Sequence, residues 1–77
     1  MLVWLKLAIH DRDAQLDYID EQVDILLQHP QIGRLGRSQG TRELVISRTP
    51  FIVVYRIKGK RIELLRLLQG SQKWPKA

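Results

Sequence analysis

The sequence predicts an α+β fold: a short N-terminal strand, one long helix, then a three-stranded antiparallel β-meander. Three observations predict it. Apolar residues between 7 and 28 recur at spacings of three and four. Pro30 and the glycines at 33, 36 and 40 then break the chain. Beyond residue 41 come runs rich in β-branched and aromatic residues, separated by short turn signals.

Residues 1–5 are apolar and include Val3 and Trp4, as a short strand would. Ile9, Leu16 and Val23 follow at intervals of seven, as do Ile19 and Leu26, which lines one helix face. Pro30 stops that helix, because the residue before proline is pushed out of helical geometry. Residues 31–40 read as a loop, and Gly33-Arg34-Leu35-Gly36 as a turn within it. Strands are expected at 41–48, 51–57 and 61–68, with Thr49-Pro50 and Lys58-Gly59-Lys60 as the turns. A two-residue loop at Gly59-Lys60 sets Lys58 opposite Arg61 and Arg56 opposite Glu63, which pairs opposite charges. With unbroken alternation, Arg56 and Arg66 fall on opposite faces of the sheet.

Seventy-seven residues make a single domain, 1–77, with a thin core. Cysteine is absent, which excludes disulfides, thiolate metal sites and thiol nucleophiles, and fits a cytoplasmic location. No apolar run exceeds five residues, far short of a membrane span, and residues 1–5 do not read as a signal peptide. His10 and His29 have no ligand partner at useful spacing, so neither metal nor other cofactor is expected.

Charge is divided along the chain. Residues 1–29 hold two basic and six acidic residues, a net of −4. Residues 30–77 hold eleven basic residues against Glu43 and Glu63, a net of +9. Such a split suggests a face that meets an anionic partner, nucleic acid or an acidic protein segment. The candidate contact residues are Arg42, Arg48, Arg56, Arg61 and Arg66 on the strands, Lys58 and Lys60 at the hairpin tip, and Trp74 as a base-stacking group. The simpler alternative is charge that protects sheet edges. No catalytic residue is assigned: the basic half offers only Glu43, Glu63 and the Tyr55 hydroxyl for proton transfer.

Gly40-Thr41-Arg42-Glu43-Leu44-Val45-Ile46, the Thr49 to Ile57 run and Ile62-Glu63-Leu64-Leu65-Arg66-Leu67-Leu68 together resemble the RelE/ParE superfamily of type II toxin–antitoxin toxins. Tyr18-Ile19, His29-Pro30 and Trp74-Pro75 fit the same pattern, nearest the ParE-like plasmid-stabilisation branch. The resemblance implies poisoning of DNA gyrase and neutralisation by an antitoxin with an acidic, amphipathic segment. The alternatives it implies are a RelE-type endonuclease that cuts mRNA on the ribosome, or a degenerate relative that only binds partners. The ribosome-dependent branch places arginine at the position of Ile52 and past the last strand, where this chain has Gln69-Gly70-Ser71. Those residues favour a gyrase poison or binding protein over an RNase.

The family's helical hairpin looks shortened here, since Tyr18-Ile19 runs straight into Asp20-Glu21-Gln22-Val23. One helix over 7–28 is therefore expected. It would leave the first strand without a partner in its own chain and part of the stripe Ile9, Leu16, Ile19, Val23 and Leu26 uncovered. A homodimer through the helix is the expected remedy.

Overall fold

The structure is a computed structural model that describes residues 1–5, 8 and 18–69. Its described elements are β1 (Leu2–Trp4), α1 (Tyr18–Val23), a 3-10 turn (Asp24–Leu27), β2 (Arg34–Leu35), β3 (Arg42–Val45), β4 (Phe51–Lys58) and β5 (Arg61–Gln69). The five strands form one sheet in the order β1-β5-β4-β3-β2. β2 to β5 are antiparallel neighbours, and β1 lies parallel to β5 with Leu2 opposite Ile62.

The meander expected from the sequence is present, extended by β2. Arg34 pairs with Glu43 and Leu35 with Arg42, so the stretch expected to be only a turn carries a short edge strand. The β4–β5 hairpin has the predicted register: Arg56 faces Glu63 and Lys58 faces Arg61. Gly59 sits at φ +62° in the first of the two loop positions, a conformation that glycine adopts without Cβ strain.

One irregularity changes the sheet. Val54 pairs with Arg66, but Tyr55 pairs with Leu64, so Leu65 is an extra residue in β5. A bulge of this kind reverses the side-chain alternation beyond it. Arg66 therefore shares a face with Val54 and Arg56, where unbroken alternation would place it on the helix side.

The helical side holds the core. Ala8, Ile19, Val23 and Leu26 pack with Ile46, Val53, Tyr55, Ile62, Leu64 and Leu67, and Leu2, Trp4, Leu44 and Phe51 border them. On the other face Ile52, Val54 and Leu68 are buried as well.

The helix expected over 7–28 ends differently. Residues 24–27 wind as a 3-10 helix, and the N–H groups of Gln28 and His29 both donate to the Ile25 carbonyl. Tightening the last turn satisfies carbonyls that an α-helix stopping before Pro30 would leave open. Residues 9–17 lie outside the described residues, and so do Ile9 and Leu16 of the stripe.

The two features expected to call for a second copy, an unpaired first strand and an uncovered helix stripe, are met differently. β1 finds its partner within the chain, where the Leu5 N–H donates to the Leu64 carbonyl and the Ile62 N–H to that of Met1. Ile19, Val23 and Leu26 are buried by the chain's own sheet.

Candidate binding surface

Two glutamates sit buried in the sheet, and each is held by two arginines. Glu43 on β3 is 2% exposed. Its Oε1 accepts from Arg34 Nη2 at 3.1 Å, and its Oε2 accepts from the Arg37 main-chain N–H at 3.1 Å and from Arg37 Nε at 3.2 Å. Burial pushes the Glu43 carboxyl up, but the Arg37 main-chain N–H and the two guanidiniums together outweigh it and hold it below the usual carboxylate range.

Glu63 on β5 accepts from Arg56 Nε across the hairpin and from Arg61 Nη2 at 2.9 Å along its own strand. The Arg56 hydrogen bond holds its carboxyl low against the opposing effect of burial, with help from the charges of Arg61 and Lys58.

A third polar group anchors the segment after the helix. The Tyr55 hydroxyl accepts from the Gly33 N–H at 2.9 Å and donates to the Pro30 carbonyl at 2.8 Å. Burial pushes this phenol up. Arg42 turns the same way, and its Nη1 donates to the carbonyls of Gly33 at 2.8 Å and Gln31 at 3.2 Å. A Cβ on Gly33 would lie 2.6 Å from the Tyr55 hydroxyl and 2.9 Å from the Glu43 carbonyl, so the close approach requires glycine.

The predicted contact residues therefore divide. Arg42 is directed at the chain's own carbonyls. Arg48 occupies the β3–β4 turn at φ +66°, away from the hairpin tip. Arg56, Lys58, Lys60 and Arg61 are exposed together at the tip. Arg66 joins the face of Arg56 through the bulge. Trp74 lies outside the described residues.

Arg34 and Arg37 were absent from that set although they build the Glu43 cluster. The available signal was Glu43 itself, one of only two acids after residue 30 and placed in an apolar run. A carboxylate buried there requires cations, and beyond Arg42, which alternation places on the opposite face of the strand, the nearest upstream are Arg37 and Arg34.

Among the described residues, no three His, Asp or Glu side chains come together as a metal site. No described helix is long and apolar enough to cross a membrane. Ile25, Leu27 and Ile32 are exposed near the end of the helix, and Ile25 and Ile32 border a shallow depression with His29 and Pro30.

This arrangement of sheet and helix recurs in known proteins. The model of the ParE toxin of the type II toxin–antitoxin system, parDE, matches residues 3–74. The chain belongs to the ParE toxin family. A chain of the chromosomal ParDE TA system from P. aeruginosa superposes with a TM-score of 0.76 at 31% identity, over 88% of this chain and 92% of that one. The conserved hypothetical protein HP0894 from Helicobacter pylori shares the fold, with a TM-score of 0.56 at 21% identity, over 92% and 94% of the two chains. Y4kP of Sinorhizobium fredii, whose name marks it as a candidate toxin, is 42% identical over 57 residues. That alignment covers 74% of this chain but spans only 58% of the relative's length.

Proposed function

We propose that this ParE-family chain is the toxin of a type II toxin–antitoxin pair of the plasmid-stabilisation kind, that it acts in the cytoplasm by inhibiting DNA gyrase, and that an antitoxin neutralises it. The family match over residues 3–74 carries the reading. The antitoxin's chemistry follows from two surfaces: the basic sheet face attracts an acidic segment, and exposed Ile25, Leu27 and Ile32 suit the apolar side of an amphipathic one. Gyrase is preferred over the ribosome because Ile52, at the position where the ribosome-dependent branch resembled above carries arginine, is buried in the sheet. Gln69, at the end of β5, is not a proton carrier near neutral pH.

The test is to induce the chain without an antitoxin and score plasmid supercoiling and transcript ends in the same cells. Loss of negative supercoiling with intact transcripts is expected. New cuts within ribosome-bound messages, abolished by Arg66→Ala, would instead establish the endonuclease reading.

A further inference from the structure

The basic residues of the sheet and its loops are not equivalent. Arg34 and Arg37 are directed at Glu43, and Arg42 is directed at the loop carbonyls. The β4–β5 hairpin end differs. Register puts Arg56, Lys58 and Arg61 on one face, and Lys60 occupies the tip between them. All four are exposed, with Arg56 and Arg61 side chains at 44% and 46%. Among the described residues of this hairpin, Glu63 is the only acid. Four cations against one carboxylate leave a net charge of +3 within a few residues of a rigid two-residue turn.

Glu63 does more than reduce that charge. It takes one nitrogen from each of two guanidiniums and so fixes both on the same side of the hairpin. The carboxylate stands where an incoming phosphate oxygen would accept the same donors. It orders the site and competes with its ligand.

We propose that the β4–β5 hairpin end of this chain binds the phosphate backbone of duplex DNA, through Arg56, Lys58, Lys60 and Arg61, without reading sequence. The placement of the aromatic residues selects a duplex over a single strand. Single-strand sites add aromatic platforms on which bases stack. Here Trp4, Phe51 and Tyr55, the aromatic residues of the described strands, all belong to the core on the other face. Among the described residues the hairpin end offers charge without aromatic surface, which gives backbone contact that positions a protein on a duplex and carries no base information.

The experiment titrates the purified full chain into a short labelled duplex of mixed sequence, from about 50 to 200 mM salt. No gyrase is present, so the outcome is separate from the gyrase reading. Affinity should fall steeply with salt. The double variant Lys58→Gln/Lys60→Gln should weaken binding on the order of tenfold and flatten the log–log salt slope by about 1.8, or 0.9 per lost phosphate contact. Glu63→Gln should tighten binding a few-fold. Asp24→Asn makes the same change in net charge from an exposed position on the 3-10 turn and should leave binding near that of the unmodified chain. Equal binding by the double variant, an unchanged slope, or equal responses to Glu63→Gln and Asp24→Asn would overturn the proposal. So would tighter binding to the matching single strand, or to an acidic homopolypeptide at the same ionic strength.

Discussion

The Glu43 and Glu63 clusters use the same chemistry, a buried carboxylate between two arginines, for different ends. Glu43 takes one partner, Arg34, from directly across on β2, and the other, Arg37, from the irregular loop that follows, through its main-chain N–H as well as its guanidinium. It thereby fixes the path of the chain between β2 and β3. Glu63 takes its partners from regular positions, two residues along its own strand and directly across a hairpin. It fixes side chains on a backbone that the turn already orders. Removing Glu43 should therefore disturb the fold, whereas removing Glu63 should chiefly alter the surface.

The largest expected effect lies beside Glu43. Gly33→Ala forces a Cβ against the Tyr55 ring and the Glu43 carbonyl, and should cost about 2–3 kcal/mol in urea unfolding. A loss near zero would mean that the loop moves freely and that the anchor has no stiffness. Next comes Glu43→Gln, with an expected loss of about 1–2 kcal/mol. Its arginines are part-exposed and screened, but the Arg37 main-chain N–H loses a charged acceptor. Glu63→Gln should lose less than Glu43→Gln, and the reverse order would break the comparison.

Acid sharpens the contrast. Both carboxyls titrate below the ordinary glutamate value of about 4.3 when folded, so the unfolded chain binds more protons in that range. Their stabilisation is complete above about pH 4.3 and is lost as pH falls through the depressed folded values. Urea midpoints measured from pH 6 downward should fall with acid, and Glu43→Gln should remove part of that fall. The smallest effect is expected outside both clusters. Arg48→Gly relieves a left-handed backbone and should gain at most about 1 kcal/mol, read as a small rise in melting temperature.

The same contrast explains what could be read from the sequence. The hairpin and its Arg56–Glu63 pair were legible because a two-residue turn with glycine first permits one register, and the register fixes the partners. The strands of the meander were legible from their β-branched runs. Arg34 was not, because a two-residue edge strand bounded by Gly33 and Gly36 reads as a turn, and Arg37 was not, because an irregular connection has no period from which to place a side chain. Nor was the position of Arg66, since Leu64 and Leu65 are chemically alike and nothing local marks which one is the extra residue. The pairing of β1 is not legible in the sequence, because helix length alone does not decide where the first strand lies. Only the packing of Leu2 and Trp4 beside Ile62 and Leu64 settles that question.

The pairing of β1 with β5 also sets an order of events. Leu2 meets Ile62, so contacts between the first and last strands close a loop of sixty residues. Closing that loop costs chain entropy that the local hairpins do not, and contacts so distant in sequence slow folding. A hairpin such as β4–β5 forms on a microsecond scale by itself. During synthesis β1 must wait, unpaired, until β5 has cleared the ribosome. The five-stranded sheet is therefore completed only after nearly the whole described chain has emerged.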